Sequence, residues 1–144
     1  MRDMTSEEYQ DFMMGYHART GKLASVRSDG RPHVAPIWFA LDGDDLIFTT
    51  WHESVKAANL KHDARVSLCV DDEKPPFAFV IIEGIAEFDE HPDPNEMLKW
   101  TTLISGRYMG DDLADQYGKR NAVEGEWLIR IKPSKVLAKT GISD

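Results

Sequence analysis

The sequence predicts a mainly β (α+β) protein, in which six or seven antiparallel strands form a small barrel accompanied by three to four short helices. Short runs of alternating apolar and polar residues are separated by turn signals, which is typical of strands joined as antiparallel hairpins. The first three strands have no helix between them, and this disfavours a doubly wound parallel sheet. A sheet of this size that closes into a barrel also removes its exposed edges.

The strand predictions rest on period-two alternation between turn residues. Strands are expected at 22–28, 31–41, 45–51, 64–71, 77–88 and 126–132, with Val136 and Leu137 extending the last one. Pro32 and Pro36 lie inside the second run, and proline is tolerated only at a sheet edge or a bulge. We therefore expect that strand to be interrupted at Pro36. Gly84 predicts a bulge or bend in the long strand 77–88.

The helix predictions rest on capping residues and 3.6-residue periodicity. Thr5 and Glu8 match a capping box. The apolar face of this first helix is expected to consist of Tyr9, Phe12, Met13 and Tyr16. Ser54 is a candidate N-cap for a short second helix, and Pro94 suits the first position of a third. That third helix is expected to carry Met97, Trp100, Thr101 and Ile104, and a fourth, short one Leu113, Ala114 and Tyr117.

Composition excludes several classes of function. The 144 residues predict one domain, 1–144, and 17 basic against 25 acidic residues give a net charge of −8. This balance disfavours nucleic acids and anionic membranes as partners, because phosphate binding needs a basic face. The single cysteine, Cys69, cannot form an internal disulfide and favours a cytoplasmic location. We expect no signal peptide and no membrane span.

The stretch Thr49–Lys56 is the strongest candidate for a binding site. A strand ends in two hydroxyl side chains and leads directly into a helix N-terminus, whose free N–H groups and partial positive charge suit a phosphate. Ser54 and Lys56 are placed to assist. The alternative is that Ser54 is a plain N-cap and Lys56 a solvated lysine. Glu53 counts against an anion unless it points away.

A second candidate is the strand segment His33–Trp38. A bulged or edge strand leaves backbone N–H and C=O groups free, and a flat heteroaromatic ring needs such groups along its rim. The alternative is an ordinary edge strand of the core.

Other residue types give no sign of a site. The five histidines show no metal-ligand spacing, so no metal site is expected. Cys69 lies in an apolar alternation and is interpreted as a buried small hydrophobe. Motifs for a nucleophilic serine, a P-loop or a dinucleotide fold do not occur.

Together, three segments carry a family resemblance: LASVRSDGRPHVAPIWFALDGDDLIFTT, SVKAANLKHDARVSLCV and FVIIEGIAEF. Their order and spacing resemble the pyridoxamine 5′-phosphate oxidase-like split β-barrel superfamily, which binds flavins and deazaflavins. Within it, the chain is most similar to the small coenzyme F420-dependent reductases. The resemblance covers roughly residues 5–137. It implies a split barrel of Greek-key topology and a homodimer with cofactor sites at the interface.

The resemblance also implies the residues of the cofactor site. The ring of the cofactor is expected along Val34, Pro36, Ile37 and Trp38. The phosphate is expected at Thr49, Thr50, Ser54, Val55 and Lys56, with Asn59 nearby. The partner subunit is expected to add groups from among Phe77, Phe79, Arg107 and Trp127. No side chain is assigned a catalytic role, because the cofactor carries the chemistry. A proton for the product could come from solvent, His33, Arg107 or Tyr108.

The chain departs from pyridoxamine phosphate oxidases proper. Its C-terminal segment carries Lys135 and Lys139 but no arginine cluster, which argues against pyridoxamine 5′-phosphate as the substrate. The tail of a deazaflavin needs further cations, for which the candidates are Arg31, Lys61, Arg107 and Lys119.

The leading hypothesis is therefore an F420-dependent oxidoreductase that transfers a hydride between the cofactor and a small conjugated organic substrate. An FMN-dependent oxidase or reductase uses the same residues and stays open. So does a protein that binds a flavin, a deazaflavin or haem without turnover. The only candidate haem ligands are His17, His33, His52, His62 and His91.

Overall fold

The computed structural model describes residues 1–144 and contains eight strands, four α-helices and one 3₁₀ turn. The strands are β1 (Arg2–Asp3), β2 (Gly21–Val26), β3 (Pro32–Ile37), β4 (Ala40–Asp42), β5 (Asp45–Trp51), β6 (Arg65–Asp72), β7 (Ala78–Asp89) and β8 (Glu126–Thr140). The helices are α1 (Ser6–Met14), α2 (Val55–His62), α3 (Pro94–Met109) and α4 (Ala114–Asn121), with the 3₁₀ turn at Asp111–Leu113. None of the helices combines the length and the apolar character needed to cross a membrane.

All strands belong to one antiparallel sheet with the order β3-β2-β6-β7-β8-β5-β4, and β1 pairs with β8. β8 has 15 residues and bridges the sheet, because it pairs with β7 on one side and with β5 and β1 on the other. The end strands β3 and β4 are not paired with each other. The mainly β, split-barrel fold class is confirmed. It has more strands than expected, because β1 is present and the run 31–41 forms two strands.

The interruption of the run 31–41 lies at Trp38-Phe39, so the prediction of a break at Pro36 was wrong. Pro36 lies within β3, opposite Lys22 of β2. β3 is an edge strand, and a proline without an N–H group costs no ladder hydrogen bond on the open side. The chain leaves the strand later, because the backbone of Phe39 bonds to side chains of α3 instead.

The helix caps follow the sequence. Thr5 and Glu8 form the capping box of α1, Ser54 caps α2, and Pro94 opens α3. One residue of the predicted α1 face is misplaced. The helix ends at Met14, so Tyr16 lies beyond it and is 92% exposed, while Met13 is buried.

Gly84 lies at a register shift between β7 and β8, as the sequence predicts. A Cβ atom at this position would lie 2.5 Å from the carbonyl oxygen of Lys132. The bulge therefore depends on a residue without a side chain, since the neighbouring backbone cannot retreat easily.

The buried apolar residues form two clusters on opposite faces of the sheet. The larger cluster fills the barrel with side chains from seven strands, β2 to β8, and from α1 and α2, including Leu23, Phe48, Leu68 and Ile129. The smaller one packs α3 against the outer face of β4, β5 and β8, and consists of Ala40, Ile47, Met97, Trp100, Ile104 and Leu128. α3 thereby lies over the part of the outer face next to the end of β5.

The outer face of β6 corrects one interpretation. Cys69 is partly exposed, so it is not a buried hydrophobe. Partial burial and the nearby Asp71 raise the pKa of its thiol above the ordinary value.

Candidate functional site

A cleft of about 450 Å³ opens where β3 and β5 end beneath α3. Its volume is in the range of small-molecule sites. It is lined by Pro36, Ile37, Trp38, Thr49, Thr50, Trp51, Ser54, Lys56, Thr101, Ile104, Ser105, Asn121 and Glu126. Lys56 and Glu126 are the ionisable side chains among them, so the charges of the cleft are one cation and one carboxylate.

The start of α2 forms one end of this cleft. The Oγ atoms of Thr50 and Ser54 lie 2.7 Å apart, and Ser54 Oγ accepts a hydrogen bond of 3.0 Å from the N–H of Ala57. These bonds hold the cap in place and leave the backbone N–H of Lys56 without an intrahelical partner. The Lys56 side chain is partly buried, and its ammonium group makes neither a hydrogen bond nor an ion pair within the chain. This end of the cleft therefore favours an anion.

The acidic residue at this end of the cleft is Glu126, whereas the sequence suggested Glu53. Glu53 is 76% exposed at its side chain, and its carboxylate lies 3.3 Å from His52 Nε2, so it points away. Glu126 instead enters the cleft from the start of β8, and its carboxylate accepts a 3.2 Å hydrogen bond from the Thr49 hydroxyl. Burial raises the pKa of Glu126, although the Thr49 hydrogen bond and the nearby charge of Lys56 oppose this.

The opposite side of the cleft is aromatic and rigid. The rings of Trp38 and Tyr108 are stacked, with centroids 5.0 Å apart and an interplanar angle of 5°. The Tyr108 hydroxyl donates to the carbonyl of Arg19 at 2.8 Å and accepts from the N–H of Phe39 at 3.3 Å. Burial raises its pKa. Since Tyr108 is held in this way by the backbone, it fixes the Trp38 ring at the mouth of the cleft.

The floor of the cleft carries a hydroxyl group without a partner. Ser105 is 1% exposed, and its Oγ makes no hydrogen bond within the chain. Its neighbour one turn earlier, Thr101, donates to the carbonyl of Gly118 at 2.8 Å. A buried polar group is normally paired, so the Ser105 hydroxyl is available to bond to a group that enters the cleft.

Seven of the sequence-predicted cofactor residues line this cleft: Pro36, Ile37, Trp38, Thr49, Thr50, Ser54 and Lys56. Val34 and Val55 lie beside it, 66% and 45% exposed. Six lining residues were missed: Trp51, Thr101, Ile104, Ser105, Asn121 and Glu126. The helical period that identified Thr101 extends to Ser105, but nothing local in the sequence places α3 over β5.

The other four predicted residues do not line the cleft. Asn59 is 4% exposed and donates its amide to Ser25 Oγ at 3.0 Å, inside the chain. Trp127 is 6% exposed and stacks on Phe88 within the barrel. Arg107 turns its guanidinium to the carbonyls of Phe39 and Met13, and burial lowers its pKa. Phe79 lies on the outer face of β7, in a separate groove beside Cys69 and Phe77.

A larger groove of about 730 Å³ lies elsewhere, between the start of α1 and β8. Within it, Asp45 pairs with Lys132 at 3.2 Å and with Arg130 at 3.0 Å. Its unpaired lysine, Lys135, is exposed, and the groove has no buried unpaired hydroxyl like that of Ser105, so the smaller cleft is the better candidate for a ligand site.

The fold is a split barrel, and a cleft at its rim combines one end that favours an anion with an aromatic end. The chain belongs to the pyridoxamine 5′-phosphate oxidase family, whose sequence profile matches residues 5–139. The resemblance inferred from the three sequence segments is thereby confirmed. A comparison with curated proteins found no match.

Solved structures extend this relationship. A conserved hypothetical protein of Mycobacterium tuberculosis shares 27% identity at a TM-score of 0.81, covering 97% of this chain and 87% of its own. An F420 reductase shares 29% identity at a TM-score of 0.68, covering 92% and 98%. The haem storage protein HutZ of Vibrio cholerae has a TM-score of 0.73 over the full length of both chains, but only 18% identity, which shows the fold alone. None of the five histidines of this chain lines the cleft.

Proposed function

We propose that the cleft binds coenzyme F420 and that the protein is an oxidoreductase acting on a small conjugated organic substrate. One observation carries this proposal. The same cleft holds a partly buried, unpaired Lys56 ammonium at one end and a buried, unpaired Ser105 hydroxyl towards the other. A ligand with a phosphate and a polar ring system satisfies both groups. The 29% identity to an F420 reductase supports the choice of this cofactor.

The chain's own residues bind and orient such a ligand. Lys56 and the first N–H groups of α2 bind the phosphate, and Thr50 fixes the cap through Ser54. The edge strand β3 offers unpaired backbone groups to the rim of the ring. Trp38, stacked on Tyr108, covers one side and excludes water. The Ser105 hydroxyl donates or accepts one further hydrogen bond.

A bound reduced deazaflavin supplies a hydride to an electron-poor acceptor, so no side chain has to act as a nucleophile. The structure gives no support to the three side chains suggested as proton donors. Tyr108 is engaged with two backbone groups, Arg107 is turned to backbone carbonyls, and His33 does not line the cleft. The proton therefore comes from solvent in this proposal.

FMN uses the same residues and is the second candidate. An FAD-binding protein of Mesorhizobium loti has the same fold at 22% identity, which leaves the choice of cofactor to experiment. Fluorescence titrations of cofactor-stripped protein with F420 and FMN distinguish the two. Tight F420 binding supports the proposal, and tighter FMN binding assigns the protein to FMN chemistry. Binding of neither below about 100 μM, which is roughly −5.5 kcal/mol, contradicts both.

Lys56→Ala is expected to weaken cofactor binding about 30-fold, since losing a charged hydrogen-bond partner costs about 2 kcal/mol. The measurement is the same titration on wild type and variant. Lys99→Ala is the control, because Lys99 is an exposed lysine of α3 that does not line the cleft. Equal affinities of the Lys56 variant and the wild type would show that the phosphate is not bound at α2.

We also propose that two copies of the chain associate, as the resemblance implies. Apolar side chains on the outer face of the sheet support this, since Cys69, Ile81 and Leu137 are neighbours in register on β6, β7 and β8. Phe77 and Phe79 adjoin them in a groove of about 530 Å³. In such a dimer, Phe79 belongs to the interface on the outer face of the sheet and does not line the cleft of its own subunit.

The association is tested by sedimentation velocity. We expect a dimer for the wild type and a monomer for Leu137→Asp, because a carboxylate in an apolar interface is poorly solvated. Val136→Asp, which adds the same charge at an exposed position on the opposite face of the strand, is expected to remain dimeric. A monomeric wild type at about ten micromolar, well above the Kd of a stable dimer, rules the association out.

A further inference from the structure

The carboxylate of Glu126 is the one negative charge of the cleft, and it lies at the end that favours an anion. It reaches this position from the start of β8 and is held by the Thr49 hydroxyl at 3.2 Å. Glu126 is partly buried, so its charge is screened less than that of an exposed carboxylate. A residue that opposes an anion at an anion-binding end requires an explanation.

The charge balance provides that explanation. Lys56 is the single cation that lines the cleft, and Glu126 offsets it. The other acidic groups nearby are directed elsewhere, because Glu53 contacts His52 and Glu124 is exposed beyond the cleft. A phosphate monoester carries a charge of about −1.5 to −2 at neutral pH. Such a group exceeds what Lys56 and the helix N-terminus can compensate beside a carboxylate, whereas a phosphodiester carries one charge.

We infer that Glu126 makes the phosphate end of the cleft selective for a singly charged phosphodiester over a doubly charged phosphate monoester. This inference rests on the proposed function, and it deepens it, because F420 contains a phosphodiester and FMN a terminal monoester. Glu126 acts as a specificity determinant: it disfavours the wrong ligand more than the right one. Repulsion between charges is proportional to the charge of the ligand, so a dianion is penalised about twice as strongly as a monoanion in free energy.

The test uses three ligands with the same ring and different phosphate charge: riboflavin, the monomethyl phosphate ester of FMN, and FMN. Dissociation constants are measured by fluorescence quenching at about pH 8, above the second phosphate pKa of about 6. The proteins are the wild type and Glu126→Gln, which keeps the size of the side chain and the acceptor for Thr49. Glu124→Gln is the matched control, since Glu124 is exposed on the same turn.

In Glu126→Gln, riboflavin affinity is expected to stay unchanged, the monomethyl ester to bind about threefold more tightly, and FMN about tenfold more tightly, or 1.4 kcal/mol. The control is expected to change none of the three. Equal gains for all three ligands, or none for FMN, overturn the inference.

F420 binding to the wild type is measured in parallel. It distinguishes a failure of the role inferred for Glu126 from a failure of the proposed function. If the wild type binds F420 but Glu126→Gln changes the affinities for all three flavins equally, the role of Glu126 is overturned and the proposed function stands. Failure of F420 and of all three flavins to bind the wild type overturns both.

Discussion

Replacing Arg107 with methionine is expected to destabilise the protein by about 3 kcal/mol or more, which lowers Tm by about 10 °C for a chain of this length. The guanidinium donates to the carbonyl of Met13 at 2.6 Å and to that of Phe39, and so ties α3 to the end of α1 and to the β3–β4 link. Hydrogen bonds from a charged group contribute about 1.5–3 kcal/mol each. Methionine fills the space of the stem but leaves both carbonyls without a donor.

The same change is expected to weaken cofactor binding, because the β3–β4 link carries Trp38, which lines the cleft. Thermal unfolding and the F420 titration measure the two effects at one protein concentration. Arg107→Lys retains a cation and is expected to lie between wild type and Arg107→Met. Arg120→Met, at an exposed position of α4, is the control and should change Tm by little. An unchanged Tm in Arg107→Met would mean that the carbonyls are satisfied in another way.

A second large effect is expected for Gly118→Val, with a loss of about 3 kcal/mol or more in the free energy of unfolding. Gly118 is buried where α4 packs on α3, and a Cβ atom there would lie 2.8 Å from Thr102 Cα. This neighbour is backbone and cannot rotate away, so the two helices must separate. The separation also strains the hydrogen bond from Thr101 to the carbonyl of Gly118.

α4 leads to Asn121, which lines the cleft, and then to the turn before Glu126. We therefore expect Gly118→Val to reduce cofactor affinity as well as stability. Chemical denaturation measures the loss, and Lys119→Val is the control, because it places a valine at an exposed position of the same helix, away from the contact with α3. If both valine variants have equal stability, the close approach of α3 and α4 is not required.

The local structure followed from local signals in the sequence. The capping box at Thr5, the N-cap at Ser54, the proline that opens α3 and the bulge at Gly84 all lie where the residues predict them. These features depend on interactions within a few residues, which a single sequence displays. The error at Pro36 has the opposite cause, since α3 binds Phe39 from 69 residues away and determines where β3 ends.

The residues of the cleft also divide into those that local sequence predicts and those that distant elements bring in. Thr49, Ser54 and Lys56 form a contiguous motif at a helix N-terminus, so the anion-binding end could be predicted. Glu126 and Ser105 could not, because they come from β8 and α3.

The sequence by itself determined the fold class, the family resemblance and the residues at the start of α2 that favour an anion. The tertiary structure alone decided what faces that anion. The pairing of β5 with β8 brings Thr49 beside Glu126 across 77 residues, and the packing of α3 on the outer face of the sheet buries the Ser105 hydroxyl in the cleft. Periodicity specifies which face of an element is apolar, but strand register and helix placement arise from packing over the whole chain.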